Sequence, residues 1–244
     1  MEIINQEFDN IIKSNNPDEI NDFLIKLSDS PDIEFFSIID YFIENLEVQI
    51  FEKIKLNLIF LIGEIAKLSA IDAKYLSFLS KTYYSSDRWV RDEIIQAIGK
   101  ISKTGVIGEE ITKLVGYAIN DDYLPIRINA LKTLLDLEEL PLFIWRNIFL
   151  ALNSKNSELE TLSANILNKF LSGFNLLFNS LTHLENYKIL KPNAIRALLL
   201  IYFKSPINLE SFRESIETSN WENEYKENYL KEIDLYEKIL LKRL

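Results

Sequence analysis

Apolar residues return along this chain at helical spacing, three or four positions apart, and period-two alternation is nowhere sustained. In "RWVRDEIIQAIGKI", Val90 is followed by Ile94, Ile95, Ala97, Ile98 and Ile101, one wide stripe on a single helical face. Counting the same offsets from Ile126 gives Ala130, Leu131, Thr133, Leu134 and Leu137, and from Ile54 it gives Leu58, Ile59, Leu61, Ile62 and Ile65. Leu159 repeats the pattern with Ser163, Ala164, Ile166, Leu167 and Phe170, and Ile195 with Leu199, Leu200, Tyr202 and Phe203. Ile20, with Leu24, Ile25 and Leu27, begins the series, so that the six anchors stand 34, 36, 36, 33 and 36 residues apart.

A second apolar helical stretch precedes each anchor helix: "IINQEFDNIIK", "IEFFSIIDYFIENL", "AKYLSFLSKTYY", "EEITKLVGYAI", "LFIWRNIFLAL" and "FNLLFNSLTHL". Turn and cap residues separate the two members of most pairs: Asn15, Asn16 and Pro17, then Asp87, then Asp121 and Asp122, then Ser154 and Asn156, then Pro192. Short polar side chains accept the unpaired amide hydrogens of a helix start, and proline fits its first turn. Around residues 46–50 the second pair shows no clear break. A period of this length made of two helices predicts an all-α fold, an α-α superhelix (solenoid) of about six helix pairs over residues 1–208, with a C-terminal capping helix over residues 209–244, one continuous domain. A single irregular helical bundle is the alternative. In the final segment, Trp221, Tyr225, Tyr229, Ile233, Tyr236 and Leu240 fall on roughly one face, which suits a helix covering the last core.

Composition narrows the function. Of 244 residues 48% are hydrophobic and 26% charged, the balance of a globular chain. There is no cysteine, which removes disulfides, thiolate metal sites and cysteine nucleophiles and suits a cytoplasmic protein. The amino terminus lacks a basic region followed by an uninterrupted apolar core, so no signal peptide is expected. The most apolar window, "IKLNLIFLIGEIAKL", is interrupted by Lys55, Asn57, Glu64 and Lys67 and is not expected to span a bilayer. The net charge of -10 is uneven: residues 1–52 carry 13 acids against Lys13 and Lys26, whereas residues 53–208 are net +4. A block this lopsided points to interaction rather than to fold.

The succession of an acidic turn, an aliphatic-Arg pair and then "IIQAIGKI" or "NALKTLLDL" resembles the second helix of HEAT repeats, most clearly over residues 70–171. Tetratricopeptide and ankyrin signatures are absent. The resemblance implies a HEAT-like α-solenoid whose members scaffold complexes, carry cargo, bind nucleic acid or, rarely, catalyse. It also implies a structural ladder in which Arg91 and Arg127 bond the acidic turn residues Asp87, Asp121 and Asp122. Read without it, the column after each anchor, Asn21, Lys55, Arg91, Arg127, Glu160 and Arg196, could equally grip phosphates, although Asn21 and Glu160 interrupt it.

Chemistry has little to work with. His183 is the only histidine, so a triad or a two-histidine zinc site lacks its partners. "SKTG" at residues 102–105 has no second glycine at phosphate-loop spacing. The carboxylate pairs Glu109 and Glu110 and Glu138 and Glu139 fall at helix starts or turns, where they complement the helix dipole. Tyr83, Tyr84, Trp89 and Trp145 could stack on a ligand, but side chains of this kind more often fill gaps between helix pairs.

The expectation is therefore a non-enzymatic protein-interaction or scaffold module without cofactor or metal, an acidic binder or neutraliser of a protein partner with a basic surface. Nucleic acid is a less suitable partner for so acidic a chain. The candidate contact residues are Asp18, Glu19, Asp22, Asp29, Asp32 and Glu34 at the acidic end, with Trp89, Asp92, Gln96 and Lys132 on later anchor helices. The alternative is a HEAT-like nucleic-acid-acting enzyme of DNA glycosylase type, for which Trp89, Asp92 and Arg127 are the raw material.

Overall fold

The computed structural model describes residues 2–171, 173–203 and 206–241, and among these it contains fourteen α-helices and no strand. Two compact units divide the chain, Met1–Val115 and Gly116–Leu244. No helix among the described residues is long and apolar enough to cross a membrane.

The first unit holds α1 (Glu2–Ser14) and α2 (Pro17–Asp29), α3 (Phe36–Asn45) and α4 (Val48–Ile65), and α5 (Ala73–Tyr84) and α6 (Arg88–Ile101). The division falls within α7 (Gly108–Ala118). Helix starts follow the local chemistry: Asn16 accepts from the amide of Asp18 at 3.0 Å with Pro17 in the first turn, and Asp87 accepts from Trp89 and Val90 at 2.9 and 3.1 Å. The break that the sequence leaves obscure lies at Leu46 and Glu47, where no side chain caps α4.

Within this unit α4 packs against α2 on one side and α6 on the other. Its buried residues, Ile54, Leu58, Ile59, Leu61, Ile62 and Ile65, accordingly cover more than one stripe. Gly63 permits the close crossing: a Cβ there would sit 3.2 Å from the Ala97 backbone and 3.1 Å from the Lys100 stem. Polar bonds tie residues about one period apart. The Asn57 amide donates to the Asn21 side chain at 2.8 Å, the Tyr75 hydroxyl to Asp40 at 2.8 Å, and the Thr104 hydroxyl to the Ala66 carbonyl at 2.7 Å. Burial, together with the Asp40 carboxylate, pushes the Tyr75 phenol up to about 12.

In the second unit lie α8 (Leu124–Asp136), α9 (Trp145–Leu152), α10 (Ser157–Phe170), α11 (Phe174–Thr182), α12 (Pro192–Tyr202), α13 (Pro206–Thr218) and α14 (Asn223–Leu241). α10 packs on α8, α9 and α12, and α14 packs on α12 and α13. Bonds of one period recur here, from the Tyr202 hydroxyl to the Leu167 carbonyl at 2.7 Å and from the Tyr236 hydroxyl to the Phe203 carbonyl at 2.8 Å.

Two expectations change. The segment read as a capping helix over residues 209–244 contains two helices, α13 and α14, and residues 206–208 already belong to α13. Its aromatic stripe is nevertheless inward, with Trp221, Tyr229, Ile233 and Tyr236 buried. The stretch read as helical to residue 184 stops at Thr182, because Leu184 and Glu185 adopt the left-handed conformation, with φ 48° and 54°. That kink is held by the buried Asn186, whose amide donates to the Ser180 carbonyl at 3.0 Å, and by Tyr187, which stacks on Trp221 at 4.4 Å.

Ile98, inaccessible on α6, tests the core assignment. Ile98→Asp is expected to unfold the first unit, because an unpaired buried carboxylate costs several kcal/mol. Val48→Asp, at an exposed first turn, should change stability by under about 0.5 kcal/mol in chemical denaturation.

Candidate interaction surface

The acidic block of the sequence is displayed on the surface. Asp18, Glu19, Asp22, Asp29, Asp32 and Glu34 are all exposed, as are Asp9, Glu44 and Glu47, and none of the nine takes part in an ion pair among the described residues. Other acids of the block are paired: Glu7 with Lys26 at 2.5 Å, Asp40 with Lys74 at 2.7 Å and Glu52 with Lys55 at 2.6 Å. Asp32 accepts from the Glu34 amide at 3.0 Å and starts a short 3-10 turn, Ile33–Phe35.

In the column after each anchor, every member but the exposed Glu160 is engaged with the protein itself. Asn21 donates to the Lys53 carbonyl at 3.2 Å, and Lys55 is buried against Glu52. The Arg91 guanidinium donates to the Ser86 carbonyl at 3.2 Å, and Arg127 donates from Nε to the Ile119 carbonyl at 2.9 Å. Both acceptors are backbone oxygens of the segment just before the anchor helix, where cations complement unpaired carbonyls. Asp87 and Asp121 serve amides, Asp121 accepting from Tyr123 at 2.9 Å. Arg196 forks onto Glu232, donating from Nε to Oε2 and, at 3.1 Å, from a terminal nitrogen to Oε1. With its side chain only 4% exposed, Glu232 has both carboxylate oxygens satisfied by that fork.

Of the aromatic candidates, Tyr83 and Trp145 are buried, whereas Trp89 and Tyr84 are exposed and Arg88 lies over the Trp89 ring at 5.0 Å. Gln96, expected on an open face, is half-buried and donates to Asp92 at 3.1 Å. Lys132 is exposed and pairs with Glu158 at 3.1 Å. His183 is half-buried beside the left-handed pair in the second unit. No group of three or more His, Cys, Asp or Glu side chains is arranged to hold a metal among the described residues.

Apolar residues are also exposed on the helices of the acidic end. On α2, Ile25 is 49% exposed, and on α4 Leu56 and Phe60 are 40% and 37% exposed. A signal for the last two is present: Leu56 and Phe60 stand two and six places after their anchor, where α2 has Asp22 and Lys26 and α6 has Asp92 and Gln96. Ile25 belongs to the apolar stripe by spacing, but its equivalents Ile59 and Ile95 are buried and it is not.

Next to Phe60 lies a charge cluster. Lys100 Nζ stands 4.6 Å from the Phe60 ring centroid, 3.1 Å from Glu64 and 3.5 Å from Glu93, while Lys67 holds the other Glu64 oxygen at 2.6 Å. Burial opposes ionisation of Glu64, but hydrogen bonds from Lys67 and Lys100 overcome it and its carboxyl lies below the usual range. For Glu93 burial wins and the carboxyl lies above that range, Lys100 being too distant for a strong hydrogen bond.

No family model and no curated protein matches the chain. Among solved structures, an engineered protein from the Northeast Structural Genomics Consortium is 13% identical, with a TM-score of 0.52 over 96% of this chain and 97% of that one. Another engineered protein from the same consortium is 16% identical, with a TM-score of 0.49 over 88% of this chain and 64% of that one. The first likeness is one of fold.

Two outcomes follow from the buried carboxylates. Removing the guanidinium in Arg196→Met strands the buried Glu232 and is expected to lower the melting temperature, with most of that loss abolished when Glu232→Gln is added in a double-mutant cycle. Because the folded state raises the Glu93 pKa, its contribution to stability is present in full below the ordinary carboxyl value of 4.5 and is lost as pH rises through the raised one. Glu93→Gln should therefore raise the melting temperature at pH 7 and leave it unchanged near pH 4.

Proposed function

We propose that the chain is a non-enzymatic protein-interaction module, a HEAT-like superhelix of about six helix pairs closed by its C-terminal helices, whose acidic end receives a partner with a basic surface. The observation that carries this reading is the set of nine exposed carboxylates in the first unit that have no cation partner among the described residues. Crowded like charges repel one another, a cost that a cationic partner relieves. Their field also steers such a partner towards this end, at rates that fall with salt.

The reading further draws on the fate of the basic side chains. Lys55, Arg91, Arg127 and Arg196, which a phosphate ladder would need, are all bonded within the protein. A neutraliser of a basic toxin or nuclease, working in the cytoplasm, is the concrete form of this function.

Oligolysine serves as the probe. The chain should bind it with an affinity that falls steeply between low and physiological salt, while a DNA duplex of equal charge density should not bind. Asp18→Lys, Glu19→Lys and Asp22→Lys together should weaken oligolysine at least about tenfold, whereas reversing Glu214, Glu224 and Glu227 should change it less than about twofold. Equal effects of the two triple variants, or tight binding of the duplex, would overturn the reading.

A further inference from the structure

The three anchor helices of the first unit lie side by side, α4 between α2 and α6, and the side turned away from the core is neither uniformly acidic nor uniformly polar. Asn57 bonds Asn21 across α2 and α4 at 2.8 Å, which sets the register of the two helices. One turn further along each helix come Ile25 and Phe60, both partly open, with Leu56 one turn before Phe60 on the same face. The centre of this surface is therefore apolar.

Carboxylates frame it. On α2 the spacing of Asp18, Asp22, Ile25 and Asp29 places all four on one helical face, the isoleucine between acids. On α4, Glu52 stands one turn before Leu56 and Glu64 one turn after Phe60. The Phe60 ring already has an ammonium, that of Lys100, at 4.6 Å, so its face accepts a cation.

We infer that the α2–α4–α6 face of the first unit is a docking site for an amphipathic helix of a partner protein, its apolar side on Ile25, Leu56 and Phe60 and its flanking lysines or arginines against Asp18, Asp22 and Asp29. Charge complementarity selects that occupant. A wholly polar basic segment would leave the apolar centre wet, and an apolar helix without cations would leave unpaired carboxylates facing it. The inference rests on the proposed binding of a basic partner and adds where that partner sits and what shape its contacting segment has.

The test uses the full chain and two labelled peptides of one composition, leucine and lysine. One has its leucines at helical spacing, the other has the same residues scrambled, and fluorescence anisotropy reads both. The patterned peptide should bind at least about tenfold more tightly than the scrambled one. Ile25→Ser with Leu56→Ser should erase that difference and leave both peptides at the scrambled level, with unchanged helix content by circular dichroism. Val48→Ser, an exposed apolar residue elsewhere on α4, should leave the difference intact. Equal binding of the two peptides to the unaltered chain would overturn the docking site while leaving the acidic reading in place. Failure of both to bind would overturn the two together. An unchanged preference in the Ile25 and Leu56 double variant would place the contact elsewhere and overturn the site alone.

Discussion

A helix pair of about thirty-five residues has more apolar surface than its own two helices can cover, so the remainder must be buried against a neighbouring pair. α4 shows what this demands. Flanked by α2 and α6, it buries residues on several sides, down to Gly63, where a Cβ would stand only 3.2 Å from the Ala97 backbone of α6. The same constraint explains why polar bonds recur at one period. Asn21 with Asn57, Asp40 with Tyr75, and Leu167 with Tyr202 are pairs whose partners differ by 36, 35 and 35 positions. Each satisfies a group that stacking removes from water.

Surface chemistry follows from what that stacking consumes. The cations next to the anchors are needed where carbonyls at the ends of preceding helices lack partners, so Arg91 and Arg127 are turned back onto the chain. Arg196 is bound to a buried carboxylate of α14. Nine acids at the amino-terminal end form no ion pair among the described residues, so charge of one sign accumulates there in the open.

The helices were largely legible in the sequence because every pair carries the same offsets. Even α5 has the bounds that its apolar spacing gives, residues 73–84. Three features were hidden for physical reasons. The start of α4 has no capping side chain, so nothing in the residues at 46–50 marks it. The kink at Leu184 and Glu185 puts ordinary residues in a conformation that glycine or asparagine normally signals, and it is maintained by distant partners such as Trp221. Ile25 read as core material because an apolar residue carries no mark of whether a neighbour will cover it. The acidic residues were legible as surface, since the stripe had already assigned the core. Which of them find cations depended on the pairing of helices, as with Asp40 and Lys74.

The one-period bonds have a kinetic meaning as well. Thr104 reaches Ala66, Tyr202 reaches Leu167 and Tyr236 reaches Phe203, separations of 38, 35 and 33 residues in a chain of 244. Closing loops of that length costs little more entropy than closing shorter ones, and contacts this local favour rapid folding. During synthesis each helix pair can thus bury its face as soon as the next emerges. The acidic pairs of the first unit are completed before the aromatic core around Trp221, which needs α14.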